Sequence, residues 1–199
     1  MKSILITIII FFMVLIPWVK ASAPKSNDIS SIESYCKQLD QFVKNNPNSF
    51  RIFANIGSGL RGGEDIWGEF KTEEERNKAD NNENLNDNVV AWLKSGTVIY
   101  AECLFQSPSR DWALYVTYYF REDGSLAKLH SVLNTFYGHI SAIRDRYYSP
   151  SGNLLRSSAQ YFDLGTKKRK KPGKDFQDEH IPEYLNSKNL PCSDLLKAP

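Results

Sequence analysis

Between Val89 and Asp163 the chain alternates apolar and polar residues with the two-residue period of half-buried strands. Trp112, Leu114, Val116, Tyr118 and Phe120 form one apolar strand face, and Ala113, Tyr115, Thr117, Tyr119 and Arg121 form the other. On the preceding strand Ile99, Ala101, Cys103 and Phe105 alternate with Tyr100, Glu102 and Leu104. Upstream the period changes to three-to-four. Ile29, Ile32, Tyr35, Leu39, Phe42 and Val43 make one stripe, which predicts a helix over 27–46. Ser30 and Glu33 have capping-box spacing at its start, and Asn45-Asn46-Pro47 ends it. Residues 48–56 fit a helix or a strand equally well. Thr72-Glu73-Glu74-Glu75 opens a further helix, and the polar run 76–88 reads as an exposed loop.

The strand region carries an internal repeat. Gly96, Gly124 and Gly152 are 28 residues apart. Trp92, Phe120 and Tyr148 precede them, and Val98, Leu126 and Leu154 follow. Further along, Cys103, Ser131 and Ala159 align as small residues, and Phe105, Leu133 and Tyr161 as large apolar ones. Each unit is a strand ending in an aromatic residue, a turn whose glycine supplies a positive φ, and a second strand. Three such hairpins predict an antiparallel meander of about six strands. Tyr148-Ser149-Pro150-Ser151-Gly152-Asn153-Leu154 resembles the Tyr-Asp-x-x-Gly-x-Leu turn of YD-type hairpin repeats. Ser149 and Arg121 stand where that repeat has Asp, so the likeness is one of turn chemistry and not of membership.

A sheet with one apolar face needs a cover, and the helix near the start of the strand region supplies one. The predicted fold is α+β: an N-terminal helix packed on a curved antiparallel β-meander.

The first residues are of another kind. Lys2 precedes an apolar run from Ile4 to Val19, and Pro17, Ala21 and Ala23 follow the pattern of a secretory signal with a small-residue cleavage site. Cleavage after Ala21 leaves 22–199 as a single exported domain, periplasmic or secreted, with no stable membrane span. Retention of the run as an N-terminal membrane anchor is the alternative. Lys2 and Lys20 leave with the signal, so 25 Lys and Arg become 23 against 23 Asp and Glu. A formally neutral domain gives no whole-molecule field to draw in a polyanion.

Three cysteines remain: Cys36, Cys103 and Cys192. In an oxidising compartment this odd count predicts one disulfide and one leftover thiol. Cys103 falls in the strand core, so the expected pair is Cys36 with Cys192. Metal binding is not predicted, since no C-x-x-C or clustered His is present, and no cofactor is expected. Gly57, Gly59, Gly62 and Gly63 lack P-loop or dinucleotide spacing. Asp80, Asn82 and Asn84 begin like a calcium loop, but Leu85 and Ala91 occupy its Gly and Glu positions.

Two surfaces remain as candidates. Tyr115, Tyr119 and Arg121 share a strand face, and the repeat places Tyr147 beside Tyr119. This is either an amphipathic face for a ligand or protein partner or a core under the helix with satisfied hydroxyls. Lys167, Lys168, Arg169, Lys170, Lys171 and Lys174 concentrate positive charge in a basic loop over 166–174. It is either a solvated loop or a site for an anionic lipid, polymer or nucleic acid. The absence of interleaved aromatics argues against stacked single strands. The expected function is a non-catalytic envelope or secreted binding module, with a small hydrolase using an unrecognised acid-base site as the alternative. Glu102 and Asp145 are the strand carboxylates such an enzyme would draw on.

Overall fold

The computed structural model describes residues 28–57, 65–83, 85 and 87–197. The signal-like run and most of the glycine-rich loop lie outside them. The fold is α+β, built on one eight-stranded antiparallel sheet with few helices. Six strands come from the repeat region: β3 (Asn88–Lys94), β4 (Thr97–Gln106), β5 (Trp112–Phe120), β6 (Leu126–Thr135), β7 (Ile140–Tyr148) and β8 (Leu154–Asp163). The ambiguous segment becomes β1 (Phe50–Asn55). It pairs with β2 (Trp67–Phe70) on one side and β3 on the other, giving the order β2-β1-β3-β4-β5-β6-β7-β8.

The repeat glycines do what their spacing requires. Gly96, Gly124 and Gly152 have φ of +79°, +83° and +83°. The second and third turns are alike: Arg121 N–H donates to Ser125 O and Ser149 N–H to Asn153 O, each with a one-residue register shift beside it. The first is tighter, with Lys94 paired to Thr97 across Ser95-Gly96 and its register shift at Trp92/Leu93. The offset sends Trp92 to the opposite face from Phe120 and Tyr148, its repeat equivalents.

Both faces carry a cover, by different devices, and α1 covers only part of its own. Helix α1 (Ile29–Asn45) lays Ile32, Tyr35, Cys36 and Leu39 over Trp92, Ile99, Tyr100, Tyr119, Ala127 and Tyr147. Its cap is Asp28, whose carboxylate accepts from Ser30 N and Ser31 N at 3.2 Å each, so Ser30 is inside the helix and not its cap. The other face, carrying Leu114, Val116, Tyr118, Leu129 and Leu133, is covered by the chain after β8. Ile181, Leu190 and Cys192 are buried there, and Phe176, Tyr184, Leu195 and Leu196 pack around them. The tail is also tied by hydrogen bonds: Tyr118 Oη–H to Pro182 O at 2.7 Å, Leu126 N–H to Leu185 O at 2.9 Å and Ser187 N–H to Gly124 O at 2.8 Å.

Two expectations are corrected. The polar run does not form a loop from residue 76. Helix α2 (Glu73–Glu83) continues through most of it, with three glutamates in its first turn where the helix dipole favours negative charge. The expected Cys36–Cys192 disulfide is absent, and all three cysteines are free and buried. Cys36 lies on the sheet-facing side of α1 and Cys192 in the tail on the opposite face, with the sheet between them. Burial pushes the Cys36 and Cys192 thiols up to about 12 each, and raises Cys103 as well. Buried, protonated thiols of this kind are inert core groups.

Candidate binding face

The strand register lines up side chains in rows across the α1 side of the sheet. The first row runs Phe50, Trp92, Tyr100, Tyr119, Lys128, Tyr147 and Arg156. Its rings meet edge-on or tilted, with centroids 5.4 Å apart for Phe50–Trp92, 5.4 Å for Trp92–Tyr100 and 5.2 Å for Tyr100–Tyr119. Lys128 Nζ then lies over Tyr119 and Tyr147, and the Arg156 guanidinium lies 4.5 Å from the Tyr147 centroid. α1 closes over this ladder and satisfies two of its hydroxyls: Tyr119 Oη donates to Asp40 and Tyr147 Oη to Glu33, at 3.0 Å each.

The four residues expected on a ligand face therefore part company. Tyr119 and Tyr147 are buried core beneath the helix. Arg121 is buried at 2% exposure, donating from Nη1 to Leu126 O at 2.6 Å and from Nη2 to Tyr148 O at 2.7 Å. It is a structural brace between two turns. Tyr115 alone of the four is open, at 49% exposure.

Beyond α1 the same face is exposed or half-buried among the described residues. Its second row is polar: Glu102, Thr117, His130, Asp145 and Ser158. Its third is mainly apolar: Leu104, Tyr115, Val132, Ile143 and Gln160. Leu104, Val132 and Ile143 are half-buried around the exposed Tyr115 ring. Two titratable groups meet in the polar row, where His130 Nδ1 lies 3.0 Å and Lys128 Nζ 2.9 Å from Asp145 Oδ1. An ionised carboxylate only accepts, so Nδ1 carries the proton and the imidazole is held in one orientation. Glu102 accepts from Tyr100 Oη at 2.9 Å. Sequence reasoning put Leu104 on a strand face with Tyr100 and Glu102 but did not name it, Val132 or Ile143 as site residues, although the register implied by the repeat would have aligned them with Tyr115.

The His130 hydrogen bond, followed by that of Lys128 and its charge, holds the Asp145 carboxyl down at about 2 against the opposing effect of burial. A carboxyl lowered by folding stabilises the fold above its unfolded value and ceases to do so as pH falls through its folded value. The melting temperature should therefore decline between about pH 4 and pH 2, and Asp145→Asn should flatten that part of the profile. An unchanged slope would show that the pair is too solvated to matter.

The basic residues lie at the opposite end of the sheet from α1. Arg169 bridges Phe162, and Lys170 N–H donates to Tyr161 O, so the segment begins as a short extension along β8. Lys167, Lys168, Arg169, Lys171 and Lys174 are exposed, while Lys170 is half-buried on Asp163. Among the described residues no group of His, Cys, Asp and Glu is arranged to hold a metal ion. No helix among them is long and apolar enough to cross a membrane. Comparison with protein-family models, with curated proteins and with solved structures found no match.

Proposed function

We propose that the protein is an exported, non-catalytic binding module whose ligand or protein partner lies on the exposed part of the helix-side sheet face. The observation that carries this reading is Tyr115, half exposed in the middle of a sheet whose aromatic neighbours are sealed under α1. Around it an apolar stripe runs beside a stripe of Glu102, Thr117, His130 and Asp145. Such a pairing suits a partner with an apolar face and polar edges, and the tyrosine supplies contact area at low entropic cost. Cleavage after Ala21 and export belong to the same proposal and rest on the sequence alone.

Placing charge in the stripe tests it. The variant Val132→Asp/Ile143→Asp should retain its melting transition and lose a partner captured from the host's envelope fraction by at least about tenfold, the effect of desolvating unpaired charge. Retention of the partner with the fold intact would overturn the reading.

The His130–Asp145 pair favours a second reading, a hydrolase with His130 as general base oriented by Asp145. It requires that His130→Gln abolish turnover while leaving binding in place. The binding-module reading requires the reverse ranking, with Tyr115 outweighing His130.

A further inference from the structure

The β6–β7 turn, Phe136 to His139, ends in two exposed aromatic side chains: Phe136 at 60% and Tyr137 at 39% exposure. The turn is held firmly. Phe136 N–H donates to Asp111 O at 3.0 Å, Tyr137 N–H to Thr135 Oγ1 at 3.1 Å and His139 N–H to Phe136 O at 3.1 Å. Gly138 and His139 have φ of +71° and +52°, and the Phe136 ring leans on the His139 imidazole at 6.4 Å.

The basic segment contacts this same turn. Leu164 N–H donates to His139 O at 3.0 Å, and Lys170 Nζ to Gly138 O at 2.8 Å. A Cβ on Gly138 would come within 3.3 Å of the Phe176 backbone nitrogen, so the chain passes close on the far side as well. Asp163 is occupied by Lys170 at 3.2 Å and by the backbone N–H of Thr166 at 2.9 Å. Lys167, Lys168, Arg169, Lys171 and Lys174 stay exposed, with Asp175 the exposed acid among residues 165–175. Residues far apart in sequence thus meet at one end of the sheet: a turn with two exposed aromatic rings, in contact with a segment that carries five exposed lysine and arginine side chains.

The geometry points to this tip as a docking surface for an anionic lipid bilayer, with Phe136 and Tyr137 entering the interface and the exposed basic side chains of the adjoining segment meeting the headgroups. Phe136 has no polar atom with which to meet solvent or a hydrogen-bonding partner, and hydrocarbon is the environment that repays its exposure. Tyr137 is of the type that settles at headgroup depth. Cations at a bilayer surface add attraction that falls off within a Debye length, and durable attachment needs both kinds of contribution. A single-stranded nucleic acid would need a groove with aromatics spaced for successive bases, whereas here both sit side by side at the end of one hairpin. The proposal is independent of the sheet-face function.

The test uses the full chain and a readout confined to the tip. Phe136→Trp is compared with its parent on vesicles of phosphatidylcholine brominated in the acyl chains, with and without phosphatidylglycerol. The fluorescence added by the new indole should be quenched on the vesicles containing phosphatidylglycerol and much less on purely zwitterionic ones. Lys168→Glu/Lys171→Glu in the Phe136→Trp background should weaken that quenching titration by about tenfold or more, and high salt should do the same. Attachment through any other part of the chain would not quench this indole. Should Phe136→Trp fail to fold, Tyr137→Trp reports the same depth. An unquenched indole, or equal quenching on both vesicles, would overturn the proposal. So would saturable binding of an oligothymidylate without vesicle quenching.

Discussion

A chain ending at residue 180 should have no cooperative melting transition. It loses Ile181, Tyr184, Leu190, Cys192, Leu195 and Leu196 from the layer over Leu114, Val116, Tyr118 and Leu129. Six apolar side chains at about 1.5–3 kcal/mol each amount to roughly 9–18 kcal/mol at full burial, comparable with a domain's whole stability. The truncation also removes the Pro182, Leu185 and Ser187 hydrogen bonds, the Arg51 contacts to Leu195 O and Leu196 O, and Glu183, which bonds Arg146 and Tyr148. Circular dichroism melting with a dye for exposed apolar surface checks this. The expected result is strong dye binding with no transition, and a melt within a few degrees of the full chain would show that the tail is ornament.

Arg121→Ala should cost about 3 kcal/mol or more. The guanidinium holds Leu126 O and Tyr148 O together from the ends of β6 and β7, and alanine leaves two buried carbonyls without it. Arg121→Lys keeps the charge but has no fork with which to reach both oxygens, so it should recover only part of the loss. Denaturant midpoints of the three proteins decide the matter. A lysine variant as stable as the parent would mean that charge, and not the two-armed bridge, is what counts.

How much of this was legible in the sequence depends on the distance over which each contact acts. Alternation and the three glycines carry the β3–β8 meander, because strand period and turn conformation are local. Facing is less secure. The two-residue turn at Ser95-Gly96 and the slip beside Trp92 put that indole under α1 while its equivalents Phe120 and Tyr148 face the tail. A one-residue offset is invisible to a repeat alignment that matches residue types. The tail's role was hidden for a different reason: Ile181, Tyr184 and Leu190 have neither helical nor strand period, since they dock as an irregular strap ahead of one short helical turn, Ser193–Leu196. The disulfide expectation failed on the same point. A Cys36–Cys192 bond needs both residues on one face, whereas α1 and the strap take opposite ones. The tyrosine face was half legible, because alternation puts Tyr115 and Tyr119 together but the reach of α1 decides which is sealed. The union of Phe136 with the basic segment depends on how the chain wraps after β8, which no local pattern records.

The central claim is that the helix-side face is divided at Tyr119, core beneath α1 on one side and a partner surface around Tyr115 on the other. The most direct measurement compares Tyr115→Ala with Tyr119→Ala, each read by thermal melting and by capture of the partner from the host's envelope fraction. Tyr115→Ala should melt within a degree or two of the parent and lose capture. Tyr119→Ala should lower the melting temperature by roughly ten degrees or more, as the loss of a buried aromatic ring from a domain of this size requires. A Tyr115→Ala protein that still captures the partner, or that melts as low as Tyr119→Ala, would contradict the account.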